Sequence, residues 1–598
     1  MKEKSIAVLP FLNMSADPEN EYFSDGITEE IINALTTING LNVTARTSSF
    51  AFKNQNADVR EIGIQLGVSV ILEGSVRKDK NRIRITAQLI DTETGFHIWA
   101  KNFDRELKDI FVLQDEISLL IADQIRENFG HLEIEEHLIN FPEIPVETYE
   151  LYLKGKHYLY TLNKNNIYKG ISILEKVTEL QPGFALAFAN VHYGYNMLAA
   201  TGLMRTEEAL EKGMNYLRRA MELNSNLPEC YHSLGWHSLN RDWDFINARK
   251  YLLKALDLSP AYADAHQKLF ITLALEGKLE AAYKHISEAL KLDPLSPLNH
   301  YFKGYYFYLQ KQYKEAISTI KRCQELSPNF LFAYSIKALA FIAQGNTSEV
   351  LEIAKFVPDI EGSDAESLIM ETLAYCSLNA VENATPGLIH LENALKEEEG
   401  ERARYFLIHM KTLLKDFEGA LNLIDQGVIN KESLMTLLRE DPLLKPLHRF
   451  EKFNNSMKKI YRLSDSTIPQ EKEKPVSILM DNEVLQYKKQ LDQLLNKDRL
   501  FLNPSLSLRL LAKHLHIHAN KLSLLLNEYY RKNFNEYINS FRLEEFKKRS
   551  MDPANSHLTL LGLAFESGFN SKTVFNTFFK KTTGMSPRVW LKSQKRQS

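Results

Sequence analysis

Lys572, Thr573, Asn576, Thr577 and Lys580 recur at helical spacing, opposite a stripe of Val574, Phe575, Phe578 and Phe579. On a helix that spacing sets a polar, hydrogen-bonding face against a buried one. Amide, hydroxyl and ammonium groups on such a face are the chemistry that reads base edges in a DNA major groove. Some 50 residues earlier, Asn520, Ser523, Leu524 and Asn527 fall on an equivalent face. The expected base contacts are therefore Asn520, Ser523, Leu524 and Asn527 from one helix, and Lys572, Thr573, Asn576 and Thr577 from the other. Lys521, Arg531, Lys580 and Lys581 are expected to meet phosphates, which position a protein without specifying sequence.

Other candidate chemistry is weaker. His514, His516 and His518 alternate, but no Cys, Asp or fourth His stands nearby to complete a tetrahedral metal site. They read as polar turn residues, with one or two meeting DNA phosphate. Cys230, Cys323 and Cys376 lie far apart, are odd in number, and read as small buried hydrophobes. Phosphate-loop, HExxH, GxSxG and paired-Cys motifs are missing. We therefore expect no catalytic residue, no metal and no cofactor.

The polar faces need elements to carry them. SLRLLAKHLHIHANKLSLLLNEYY reads as helix, turn, helix, with Ala512 four residues before His516. HLTLLGLAFESGFNSKTVFNTFFKK repeats the arrangement 52 residues later, with Ala564 four residues before Gly568. A small residue lets the second helix cross close to the first, and glycine supplies a left-handed turn. Ser571 is placed to cap the second helix. Two such helices on one domain fit successive major grooves, about 34 Å apart.

Charge agrees once it is resolved along the chain. The 598 residues carry 73 Lys and Arg against 76 Asp and Glu, a net of −3. Residues 484–598 alone hold 20 against 8, which leaves 53 against 68 for the rest. A basic tail on an acidic body is the electrostatic footprint of a phosphate-binding module.

The tail resembles the AraC-type DNA-binding domain of transcriptional regulators. AFESGFNSKTVFNTFFKKTTGMSP follows that family's A…GF-x-S-x-x-x-F…FK…G-x-SP run, and NFNEYINSFRLEE matches its F-x-x-Y-I-N-x-x-R stretch. Several positions depart from the family pattern. Thr577 stands where an arginine is usual, Trp590-Leu591 replaces a tyrosine-arginine pair, Phe546 replaces alanine, and Gly562 sits inside a helix. His516 replaces the first unit's turn glycine, and His518 its capping serine. These changes bear on base preference, not on fold.

Upstream, Pro260, Pro294 and Pro328 are spaced by 34 residues. Before them recur Ala248-Leu252-Ala255, Ala282-Ile286-Ala289 and Ala316-Ile320-Cys323. Gly170-Leu174-Val177-Pro182 fits the same frame, as does Gly213-Leu217-Ala220. That period is the tetratricopeptide signature, helix pairs that stack into a superhelix. Its aromatics, in KGKHYLYTL, HYGYNML and KGYYFYLQ, are mainly helix packing, with a peptide-binding groove as the alternative.

Residues 5–130 read as α/β, with RIRITAQLI alternating cleanly and pairing with VSVILEGSV through Lys78–Asn81 as a hairpin. IAVLPFLNMSADPENEYFSDGITEEI, VREIGIQLGV and ILEGSVRKDKNRIRITAQLIDTETGFHIWAKNFDRE make this segment resemble the TolB-like domain of bacterial signalling proteins. The resemblance implies a sensory or protein-contact role. Asp25, Glu73, Asp91 and Asp104 suit either ligand contacts or helix caps and turns.

The expected fold is multidomain, with an α/β amino-terminal domain, an all-α tetratricopeptide superhelix and an all-α carboxy-terminal domain with two helix-turn-helix units. Its expected segments are 1–135 (TolB-like), 147–345 (repeats), 346–461 (degenerate helical repeats), 462–483 (linker) and 484–598 (AraC-type). No apolar run reaches the ~18 residues of a bilayer span, and the start is too short in apolar length for a secretory signal. The expected location is cytoplasmic. The expected function is a sequence-specific DNA-binding transcription regulator, not an enzyme. Its partners are double-stranded DNA, a protein or peptide at the repeats, a small-molecule or protein signal at the amino-terminal domain, and a second copy as a homodimer. The alternative is a signalling scaffold in which DNA binding is secondary. The charge split adds one more expectation, that the acidic repeats mask the basic tail.

Overall fold

The computed structural model describes residues 4–55, 57–138, 144–160, 164–200, 203–204, 206–358, 363–395, 400–461 and 481–594. Most of the expected linker, 462–480, lies outside the described residues.

The amino-terminal domain is built on a mixed sheet of order β3-β1-β4-β5-β6, with β2 on β4. Its strands are β1 (Ser5–Val8), β2 (Leu12–Asn13), β3 (Asn42–Val43), β4 (Val70–Asp79), β5 (Arg82–Asp91) and β6 (His97–Glu106). β1 pairs in parallel with β3 and β4, whereas β4-β5-β6 form an antiparallel meander. The alternation in β5 is real, because Ile83, Ile85, Ala87 and Leu89 are fully buried. Helices α1 (Glu21–Thr36), α2 (Arg46–Phe50), α3 (Val59–Leu66) and α4 (Ile110–Phe129) complete the domain. The acids serve the fold where partners are seen. Asp104 bridges Arg82 and Arg84 at 2.6 Å each, and Asp91 accepts from the Glu93 and Thr94 N–H groups in a turn. Asp25 is buried against Lys53 at 2.6 Å, with His157 at 3.4 Å.

Antiparallel helix pairs follow, among them Phe245–Leu258 with Ala263–Leu275, and Pro297–Leu309 with Tyr313–Leu326. The recurring small residues sit at the crossings. Ala248, Leu252 and Ala255 are fully buried, as are Ala282, Ile286, Ala289, Ala316, Ile320 and Cys323. A methyl group on Gly235 would stand 2.6 Å from the Leu252 side chain, and one on Gly304 2.6 Å from Ile320. One hydrophobic core runs unbroken from Leu239 to Tyr461, so the later helices continue the stack. A second core joins the sheet to the first repeats through Tyr149, Tyr152 and Leu153. There Lys156 is buried between Glu30 and Glu29, at 2.8 and 3.1 Å. All three cysteines are buried and free. Among the described residues, no helix is long and apolar enough to cross a membrane.

The carboxy-terminal domain is all-helical, as the sequence patterns require. Each helix-turn-helix unit has its own small core, Leu508 to Leu526 contributing to one and Leu563 to Phe579 to the other. The helix Phe534–Met551 links them, opened by a reciprocal capping box between Asn533 and Glu536.

Candidate nucleic-acid interface

In the second unit, the leading helix Leu560–Glu566 ends at Gly568, whose φ is +95°. A Cβ there would approach the Phe501 carbonyl oxygen to 2.4 Å, so glycine meets both a conformational and a steric demand. Ser571 Oγ then caps the recognition helix Lys572–Thr583, accepting from the Val574 N–H at 3.5 Å. Phe575 and Phe579 are buried and Phe578 half-buried, packed edge-on to Phe546, Phe569 and Trp590. Phe546 thus fills the space left at a position where alanine is usual. Val574 departs from the expected stripe and is exposed, since the core ends one residue short of it. Lys572, Thr573, Asn576, Thr577 and Lys580 are all exposed on the opposite face. Lys581 is exposed too, and pairs with Glu536 at 2.8 Å.

The first unit has the same frame with different residues. Its leading helix is Leu508–His514, and His516 takes the left-handed turn with φ +54° where the second unit has glycine. His518 replaces the capping serine, its Nδ1 accepting from the Asn520 N–H at 3.2 Å. The three histidines therefore belong to a helix end, a turn and a cap. Among the described residues no cluster of His, Cys, Asp or Glu could hold a metal ion. Arg542 ties the linking helix to the segment ahead of the first unit, donating to the Phe501 and Asn503 carbonyls at 2.8 Å each. Burial lowers its pKa to about 10.

The base-contact face expected of the first unit is not open in this arrangement. In the recognition helix Ala519–Tyr529, six consecutive residues from Leu522 to Asn527 are buried. A helix against a single core buries one face; six in a row require cover on both. Leu522, Leu525 and Leu526 face the unit's own core, and Leu524 joins that apolar cluster as well. Ser523 is 2% and Asn527 8% exposed, the Asn527 amide donating to the Ser523 carbonyl at 2.8 Å. Asn520 shows what lies across that face. Its Oδ1 accepts from Arg126 Nη1 at 2.5 Å and from the Ile134 N–H at 3.3 Å, and its Nδ2 donates to the Ile134 carbonyl at 3.2 Å. Lys521 is half-buried beside the Tyr487 ring, and Arg531 is exposed.

The contact continues along α4. Asp123 pairs with Arg509, and Glu127 accepts from the Leu508 N–H at 2.7 Å. Asn128 accepts at its carbonyl from Asn533 Nδ2 at 2.7 Å and at Oδ1 from Asn535 Nδ2 at 2.9 Å. The cover found on the basic tail is thus α4 of the amino-terminal domain, where the repeats had been expected. Asp123, Arg126, Glu127 and Asn128 are functional candidates that sequence reasoning missed. In the sequence they look like the solvated charges of an amphipathic helix, and only the fold shows that Asp123, Arg126 and Glu127 are buried.

A family model described as a helix-turn-helix domain matches residues 511–593. The chain carries an AraC-type DNA-binding domain. A second model, the second domain of HilA/YgeH-like transcriptional regulators, matches residues 2–120, and a tetratricopeptide-repeat model matches 299–330. The AraC-type domain thus follows a regulator-type amino-terminal domain and repeats. Among curated proteins, "Putative adenylate cyclase 3" of Rhizobium meliloti (strain 1021) is 39% identical over 38% of this chain and 39% of its own length. The transcriptional regulator HilA of Salmonella typhimurium is 23% identical over 48% of this chain and 51% of its own. The chain spans between two fifths and about half the length of these relatives. Among solved structures, the human IFIT1 dimer with m7Gppp-AAAA aligns at TM-score 0.37 and 17% identity, over 59% of this chain and 78% of that one. The domain matches support DNA-binding transcription regulation.

Proposed function

We propose that this chain is a cytoplasmic regulator that reads a specific promoter sequence through its two helix-turn-helix units, under control of a signal received by the amino-terminal and repeat region. The observation that carries the reading is the exposed face of Lys572, Thr573, Asn576 and Thr577, backed by a rigid aromatic core. Amide and hydroxyl groups there reach base edges, while Lys580 and Lys581 reach phosphates. Asn520, Ser523, Leu524 and Asn527 take the equivalent place in the first unit; Asn520 is freed when α4 leaves, whereas Leu524 also packs in the unit's own core. Lys521 and Arg531 then flank that helix as phosphate contacts. The repeats offer a concave surface suited to a protein or peptide, and dimerisation would add a second pair of units.

No reaction is part of this reading. The cyclase name belongs to a relative aligned over 39% of its length, whereas the two domain models are described as a helix-turn-helix domain and as the second domain of HilA/YgeH-like transcriptional regulators. Selection of bound duplexes from a random pool by the full chain tests the proposal. A single enriched motif is expected; recovery of the unselected pool, with retention that scales only with salt, would overturn sequence-specific reading.

A further inference from the structure

The amide of Asn520 faces a donor side and an acceptor side: Oδ1 accepts from the Arg126 guanidinium and from the Ile134 N–H, and Nδ2 donates to the Ile134 carbonyl. An adenine edge in the major groove presents the same pair, its N6 amino group and N7, to a bidentate asparagine. Beside it the Asp123 carboxylate neutralises Arg509, a cation of the DNA-binding domain, as a backbone phosphate would. Ser523 and Asn527, on the same helix face, are buried along with Asn520's partners. We propose that the edge of the amino-terminal domain from Asp123 to Ile134 is an internal DNA mimic, occupying the first recognition helix until a duplex or a signal displaces it.

The mimicry is local. The recognition face of the second unit stays exposed while the first is covered. The covered state therefore engages DNA through one major groove, and release of α4 adds the second. Asn520 pairs both ends of its amide in the covered state, and an adenine edge would pair both again, so the exchange strands neither amide atom of Asn520. The contact is also mostly polar, made of hydrogen bonds and an ion pair, as expected of a surface that must part in water.

This inference rests on the DNA-binding reading above, and its test separates the two. Asn128→Arg, in the full chain, places a long cation at the point where α4 meets Asn533 and Asn535, outside both DNA-reading helices. Faster amide hydrogen exchange over residues 522–527 is expected, with affinity for the selected duplex raised about tenfold or more. The footprint should lengthen by about one helical turn. Conversely, Asn128→Cys with Asn535→Cys, joined by a short bis-maleimide, should confine the footprint to one groove. Exchange, affinity and footprint all unchanged in both proteins would overturn the mimic while leaving DNA binding in place. Failure of every form to bind any duplex at low salt would overturn both readings.

Discussion

The Arg126 guanidinium donates to the side-chain carbonyl of Asn520 at 2.5 Å, across 394 residues of sequence. This bond ties the core helix of one domain to the first recognition helix of another. It sits within a continuous polar seam that also holds Asp123–Arg509, Glu127–Leu508 and Asn128–Asn533. The two helix-turn-helix units are consequently unequal: one presents its face to solvent and the other presents it to the chain itself. A sequence-specific contact and an intramolecular one cannot share Asn520 at the same time.

The exposed unit gives the most direct test of base reading. Asn576→Ala is expected to relax base preference at one position, costing about 1–3 kcal/mol on the selected duplex and little on random DNA. Lys580→Ala should weaken all sequences alike and reduce the slope of log affinity against log salt by about 1. Titrations of both variants on specific and random duplexes at several salt concentrations check this. Equal losses on both duplexes for Asn576→Ala would remove it from base readout.

Much of this fold was legible because its periods are local. The 34-residue spacing of Pro260, Pro294 and Pro328, the alternation of Ile83 to Leu89, and the Ala564–Gly568–Ser571 frame each reflect a contact within or next to one element. Val574 was misread for the same reason: helical spacing places it beside the apolar stripe, but the small core built on Phe546 ends at Phe575 and Phe578. The contact on Asn520 left no local mark. It depends on charges in α4 meeting a helix nearly 400 residues away, and periodicity carries no information on such distant pairs.

The two turns differ in what they tolerate. Gly568→Ala forces a Cβ onto the Phe501 carbonyl at 2.4 Å in a left-handed conformation, and is expected to destabilise the AraC-type domain by more than about 2 kcal/mol. His516 already holds a left-handed conformation with a side chain. His516→Gly removes that strain but loosens the unfolded chain, so stability should stay within about 1 kcal/mol. Amide hydrogen exchange over residues 508–583 at rising denaturant checks the contrast.

Lys156 joins the amino-terminal domain to the repeats. Replacing it with Met leaves Glu29 and Glu30 buried without their shared cation, although Arg46 at 3.3 Å and the Tyr160 hydroxyl at 3.0 Å still hold Glu29. Loss of about 3–5 kcal/mol is expected. Lys156→Met combined with Glu30→Gln should recover part of it, as double-variant unfolding would show.

The last prediction concerns pH and the seam itself. Burial pushes the Glu127 carboxyl from its ordinary 4.5 up to about 7, against the pull of the Leu508 N–H, with Asp123 raising it further and Arg126 opposing. Gln124 also donates to this group at 3.3 Å, and Arg509 pairs with the neighbouring Asp123. His131 is held down at about 4 by burial, with Lys4 and Arg126 adding to it, and stays neutral over the window. When α4 leaves, Glu127 regains water and returns toward its ordinary value. A carboxyl whose pKa is higher in the docked state favours docking fully below 4.5 and loses that contribution as pH rises through 7. Each pH unit in between is worth up to about 1.4 kcal/mol. The wild-type chain should therefore gain DNA affinity relative to Asn128→Arg between pH 5.5 and 8, over and above the change that both chains share. Glu127→Gln, which keeps the acceptor for Leu508 but cannot ionise, should hold the docked state at every pH and erase the difference. A pH profile parallel in wild type, Asn128→Arg and Glu127→Gln would mean that Glu127 does not couple to docking.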